Sequence, residues 1–306
     1  RRQRQMCIRD SLLNSEMEGL LKSSKFNFGR MLYGDGSGLI ATTVGNTSSS
    51  TNVLTVDSVK NLMEGMVIDV YDTSDMIVSN LTGVRIISID RAKKEITLSA
   101  SASSVLGEGY KIYVQNSKDN ELTGLEAIFG TANLYGLDRN DYSFLNPYKV
   151  TDTTGVSTEA IQAAIDSIEE VAGGTIDFIV SSYKVRRAYI EYLSLNRTNL
   201  DYMNLDGGFK ALSYSGIPFV ADRFVDDKTM YLLNTSDFKL HQLCDWRWIE
   251  GEGGTVLHQV ANKAVYTATL VKYADLLCER PMGQAKITFS TIASVSYTHL
   301  TLPTIR

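Results

Sequence analysis

The residues able to do chemistry are few and scattered. The histidines are His241, His258 and His299. None belongs to an H-E-x-x-H pair, and none has a cysteine at metal-ligand spacing. His241 alternates with Lys239 in a strand-like run, which suits a half-exposed sheet position. Carboxylates are paired at Glu169-Glu170, Asp226-Asp227 and Glu250/Glu252. Glycoside hydrolysis needs two carboxyl groups facing each other across about 5–9 Å. Neighbours on one helix or turn rarely converge in that way, so these pairs read as solvated. No G-x-S-x-G occurs, and the serines have no evident His and Asp partners. The expectation is a protein with no catalytic, cofactor or metal site: not an enzyme.

Three further groupings have the residue types for binding. Gly34-Asp35-Gly36-Ser37-Gly38 has the glycine density of a phosphate cradle. A P-loop, however, continues into Lys-Ser/Thr and leads into a helix. This one follows a helical pattern, so it reads as a helix cap and turn. Lys184, Arg186 and Arg187 form a small basic cluster, suited to a subunit salt bridge, to solvent or to nucleic acid. Trp246 and Trp248, in Cys244-Asp245-Trp246-Arg247-Trp248, project to one side of a strand. They fit packing within their own subunit, a protein–protein anchor or a carbohydrate platform. Tyr135 and Tyr142, with Phe144 and Tyr148, can bury rings and keep hydroxyls wet. They fit a contact surface or a loop sealed onto its own core. The candidate subunit contacts are therefore Trp246, Trp248, Tyr135, Tyr142, Arg186 and Arg187.

The frame for these groups is set by the totals. The chain of 306 residues is long enough for two or three domains. Its composition, 43% hydrophobic and 21% charged, is globular. The net charge of -5 argues against gripping nucleic acid as the main task, while leaving room for a local basic patch. Three cysteines, Cys7, Cys244 and Cys278, give no disulfide framework and fit a reducing compartment. No apolar run reaches membrane-span length, so no membrane partner is expected. Residues 1–11 and 295–306 resemble adaptor read-through and are expected to be non-native.

The elements follow from periodicity. Leu13, Met17, Leu20, Leu21, Phe28 and Leu32 predict a helix over 12–32. Residues 45–118 hold five short Val- and Ile-rich strands: 53–56, 66–71, 83–89, 95–99 and 110–114. Polar turns separate them, which predicts a small barrel or sandwich. A helix is expected over 158–172, ended by Gly173-Gly174, then a buried strand over 175–180 and a Ser-capped helix to 193. From residue 209 strands dominate. The Pro218 segment suits an edge or a strand start. The run 264–278 carries apolar groups on both faces and predicts a strand of which at least part lies between two layers.

The order of four segments resembles the major capsid proteins of tailed bacteriophages. These are Leu32–Gly38, the 181–193 helix after its buried strand, 216–222, and 273–280. The resemblance implies an α+β, HK97-like capsid fold with a long spine helix, peripheral and axial domains, and an inserted small all-β module. It apportions the chain as spine helix and glycine turn of the peripheral domain (1–44), inserted β module (45–118), and return segment of the peripheral domain (119–157). A mainly axial part (158–262) and the final peripheral strands (263–294) follow. It implies that Leu13, Met17, Leu20 and Leu21 pack on the sheet containing 264–277. It also implies an N-terminal arm and hairpin upstream of residue 1, so the chain is expected to be a fragment. The function implied is an icosahedral shell enclosing phage double-stranded DNA, in the virion, assembled in the host cytoplasm. The partners implied are copies of the chain in pentamers and hexamers. A scaffold, a maturation protease and a portal protein complete that set, and DNA contact is weak and non-specific. An encapsulin-like compartment shell and a phage tail or baseplate carbohydrate-binding protein are the alternatives.

Overall fold

The computed structural model describes residues 2–45, 51–101, 106–153, 155–195, 202–204, 210–251, 254–260, 262–263 and 265–292, with first-helix side chains from Asn14 on. The chain forms two compact units, residues 1–126 with 239–277 and residues 127–238 with 278–306.

The first unit opens with helix α1 (Arg2–Tyr33). Six strands follow: β1 (Leu39–Thr42), β2 (Val53–Thr55), β3 (Val67–Tyr71), β4 (Val84–Asp90), β5 (Glu95–Leu98) and β6 (Lys111–Val114). Their order in the sheet is β1-β6-β3-β4-β5-β2. The outer strands then meet. Thr43 bridges Val56, and the Val44 N–H donates to the Thr55 carbonyl at 2.9 Å. The sheet closes into a six-stranded barrel, which removes its edges. Alternation fills the inside: Val84, Ile86 and Ile89 of β4 are buried while Arg85, Ile87 and Ser88 are exposed. Leu54, Ile68, Ile86, Ile96 and Ile112 pack together in this core with no exposure. Five of these strands lie where periodicity predicts them; β1 is an addition. It directly follows the glycine turn, and only four residues give it little periodicity to detect.

Short helix α2 (Leu125–Ile128) precedes strand β7 (Tyr148–Asp152). Helix α3 (Thr158–Ala172) starts at Ser157, whose side chain accepts from the Ala160 N–H, and stops at Gly173 with φ 60. That left-handed residue is the helix end the glycine pair predicts. Strand β8 (Phe178–Ser181) and helix α4 (Tyr183–Leu195) follow. The Ser182 hydroxyl accepts from the Val185 N–H at 3.2 Å, as the expected cap. Strands β9 (Tyr202–Asn204), β10 (Lys210–Tyr214), β11 (Ile217–Ala221) and β12 (Thr229–Leu233) complete this stretch.

The chain then enters a long strand, β13 (Phe238–Trp248), a two-residue hairpin of β14 (His258–Gln259) and β15 (Tyr266–Thr267), and strand β16 (Leu270–Cys278). Among the described residues β13 and β16 pair only with each other, as a two-stranded ribbon. The expectation that at least part of 264–278 lies between two layers finds only Cys278, at the strand's end, buried. Along β16 the side chains are half-buried or exposed up to Cys278, and Tyr273 is exposed. Apolar groups on both faces belong here to an open ribbon, not to a sandwiched strand.

The last strand, β17 (Ala285–Phe289), closes the second unit's mixed sheet in the order β7-β17-β12-β8-β11-β10-β9. β17 runs parallel to β7, and β11 parallel to β8; the other pairs are antiparallel. Pro218 sits in an interior strand, yet as a strand start: the ladder to β8 begins only at Phe219. Ile161, Ile165 and Ile168 of α3 and Val185, Tyr189 and Leu193 of α4 pack with Phe219, Met230, Leu232 and Ile287 of the sheet. The fold is thus α+β, with a large mixed sheet and helices packed on it.

Candidate functional site

The glycine cluster 34–38 turns out to be a junction. Gly36 and Gly38 have φ of +89 and +81, which side chains rarely adopt. A Cβ on Gly38 would lie 2.6 Å from the Ser117 carbonyl oxygen, and one on Gly124 would lie 2.4 Å from that of Met31. The chain leaving the barrel thus returns against the chain entering it. The Asp119 N–H donates to the Ser37 carbonyl at 2.8 Å. Arg30 on α1 clamps the return: its two terminal nitrogens bond the two Glu121 oxygens at 2.8 and 2.5 Å, with side-chain exposures of 4% and 2%. The Ser117 hydroxyl donates to the same carboxylate. Such a bidentate buried pair fixes direction as well as distance. Neither Arg30 nor Glu121 has a periodic or motif signature, so sequence reasoning missed both.

Beside this junction α1 meets the ribbon. Phe28 and Trp246 are edge to face, with centroids 6.1 Å apart. The Lys272 ammonium lies 5.2 Å from the Phe28 ring and 5.7 Å from the Trp246 ring. It donates to Asp245 at 2.7 Å and to Gln242 at 3.1 Å. That hydrogen bond from Lys272, with the Trp246 N–H, holds the Asp245 carboxyl below its usual range. A cleft of about 620 Å³ opens here, lined by Asn27, Phe28, Met31, Glu121, Trp246 and Asp275 among others. Trp246 therefore spends part of its ring inside its own unit. Trp248 shares its half-buried side of β13, with Asp245 and Arg247 exposed on the other.

Helix α1 begins at Arg2, earlier than the expected 12–32, and its burial departs from the expected apolar stripe at Leu20. Phe26 packs on the barrel core, and Met17, Leu21 and Leu32 are half-buried, but Leu20 is 43% exposed. From Asn14 to Leu20 only Met17 is half-buried, and half-buried positions predominate from Leu21 on; the Leu13 side chain lies outside the described residues.

In the second unit the loop carrying Tyr135 and Tyr142 is organised by Arg139. This buried guanidinium donates to the carbonyls of Ala127 (2.8 Å), Ile128 (2.9 Å), Ala132 (2.6 Å) and Leu145. It thereby ties four backbone carbonyls to one buried side chain, and burial pulls it below its ordinary pKa. Tyr135 takes a left-handed φ of 53, and its hydroxyl accepts from the Cys278 N–H at 2.9 Å. Tyr142 and Phe144 are exposed and stand edge to face, 5.9 Å between centroids. On α4, Arg186 lies over the Tyr183 ring at 5.5 Å, Arg187 is exposed, and Lys184 pairs with Asp227 at 2.5 Å. The three acid pairs stay on the surface: Glu169, Glu170, Asp226, Asp227 and Glu250 are exposed, and Glu252 lies outside the described residues. His241 is exposed on β13; His258 is half-buried against Gly251, and His299 is outside the described residues. Among the described residues no three His, Cys, Asp or Glu are grouped to hold a metal ion. No helix described is long and apolar enough to cross a membrane.

The arrangement offers contact chemistry: exposed apolar strand residues, an aromatic loop tip and a basic helix face. No family model and no curated protein matches the chain. Among solved structures, it is similar at 14% identity to the holo-SrpI encapsulin complex from Synechococcus elongatus PCC 7942, covering 49% of this chain and 57% of that one, with a TM-score of 0.38. It is similar at 16% identity to the capsid asymmetric unit of cyanophage A-1(L), covering 56% and 61%, with a TM-score of 0.44. A virus-like particle from Pyrococcus furiosus aligns at 10% identity over 46% and 54%, with a TM-score of 0.29. The chain thus spans less than two thirds of the length of each of these chains.

Proposed function

We propose that the chain is a shell subunit of the HK97-like capsid kind, which self-assembles in rings of five and six into an icosahedral shell around phage double-stranded DNA. The observation that carries this reading is the β13/β16 ribbon. It has no third strand among the described residues, and Leu240, Leu243, Tyr266 and Tyr273 on or beside it are exposed, Leu243 by 87%. An isolated two-stranded ribbon is marginal in water, and such an edge invites pairing. Repeated copies would cover it, and many modest identical contacts add up through avidity. The glycine-ended helix α1 and the helix–strand–helix order of α3, β8 and α4 support the same reading.

In this reading α1, β7, β16 and β17 belong to the peripheral domain, and α3, α4 and the strands from β8 to β14 mainly to the axial domain. The barrel, whose entry and exit touch at the Gly38–Ser117 junction, is an insertion on the outer surface. The net charge of -5 suits a wall that holds DNA only weakly. Assembly takes place in the host cytoplasm, with scaffold, protease and portal as partners. Negative-stain microscopy of the protein expressed from its complete reading frame, alone and with those partners, tests the proposal. Rings or closed particles are expected; a monomer under every condition overturns it. Nuclease protection of enclosed DNA distinguishes a capsid from a cargo-filled compartment.

A further inference from the structure

We propose that the 134–146 loop of one copy docks on the first turns of α4 of a second copy. The inference rests on the shell reading above and names one of its contacts. The loop is preorganised, because Arg139 bonds four carbonyls within and beside it. A loop held in this way loses little entropy on binding. Its tip displays the Tyr142–Phe144 ring pair beside the exposed carboxylate of Asp141. Asp141 has no hydrogen bond or ion pair among the described residues, and the loop's one cation, Arg139, is buried and spent on the backbone.

The first turns of α4 carry the opposite character. Lys184, Arg186 and Arg187 fall within four positions, beside the half-exposed Tyr183 ring. Lys184 is engaged by Asp227, but Arg187 is exposed and unpaired among the described residues. One surface thus offers a free carboxylate and two aromatic rings, and the other the free guanidinium of Arg187 next in sequence to Arg186, which lies over the Tyr183 ring. Arg and aromatic residues are the commonest energetic anchors of interfaces, and a guanidinium over a ring is attractive in itself. Both surfaces belong to the same chain, so the occupant is a second copy. The contact is heterologous, which closes into a ring when the rotation fits.

Charge reversal tests it in the protein expressed from its complete reading frame, with self-association read by sedimentation velocity. Asp141→Arg and Arg187→Glu are each expected to weaken association about tenfold or more, since each sets like charges face to face. The double variant, and an equimolar mixture of the two single variants, are expected to recover it. Circular dichroism checks that all variants stay folded. If the parent assembles and the single variants assemble equally well, or the double variant fails to recover, this contact is wrong and the shell reading stands. If the parent itself stays monomeric, both fall.

Discussion

The barrel and the ribbon are both antiparallel strand structures within one unit, and they resolve their edges in opposite ways. The barrel pairs its first and last strands through Thr43 and Val56 and buries Leu54, Ile68, Ile96 and Ile112 completely. The ribbon has two strands among the described residues, exposed apolar residues and an attachment where Phe28, Trp246 and Lys272 meet. A closed sheet needs no partner; an open one does. The same chain therefore contains a part that is complete by itself and a part whose stability depends on what lies beside it.

The largest effect is expected in the barrel. Ile112→Asp places an unpaired charge among residues with no exposure, where a buried carboxylate has no partner. Loss of more than about 4 kcal/mol is expected, enough to unfold the barrel. Urea denaturation followed by circular dichroism would show it; a variant as stable as the parent would mean that the closed core is not what holds this region together.

Next is the clamp at the barrel's base. Glu121→Ala leaves the Arg30 guanidinium buried without its carboxylate, a change that costs about 3–5 kcal/mol when a buried pair is broken. Replacing both, as Arg30→Met with Glu121→Leu, is expected to recover much of that loss. Hydrogen exchange at the 117–124 backbone reports it locally. Equal protection in the single variant and the parent would show that the glycine contacts alone hold the junction.

These two predictions also mark where sequence reading succeeds. The barrel strands, the span of α3 with its Gly173 stop and the cap of α4 are legible because period and capping are local signals. The Arg30–Glu121 pair and the Arg139 staple join residues far apart in sequence or bond to backbone carbonyls, and neither leaves a periodic trace. The ribbon misled for a related reason. Apolar residues on both faces of 264–278 look like burial, but a strand of an open two-stranded ribbon carries the same pattern here. Of the candidate contacts, the structure brings Tyr142 and Phe144 together and gives Tyr135 and Trp246 partners in their own units.

A smaller effect separates the second unit's core from both. Burial raises the Tyr189 phenol and the Cys278 thiol, each to about 12. Both are neutral when protonated, and folding favours that neutral form. Their contribution is fully present below the unfolded values, near pH 9–10, and is lost as pH rises through about 12. Tyr189→Phe is expected to flatten the alkaline end of the stability curve while leaving neutral pH nearly unchanged. A parent whose stability does not fall above pH 10 would count against it.

The smallest change in fold stability is expected on the open surfaces. Leu20 is 43% exposed and Leu243 is 87% exposed, so Leu20→Asp and Leu243→Asp should each shift stability by no more than about 0.5 kcal/mol in the isolated chain. Their consequences should diverge when copies meet. Leu243 lies on the ribbon, where a charge would face a neighbouring strand or side chain, and assembly should fail while the melting temperature stays put. A Leu243→Asp protein that still forms particles would place the subunit contact elsewhere. A large loss of stability in either variant would show that these residues are already covered within a single copy, and the contrast between the closed barrel and the open ribbon would lose its basis.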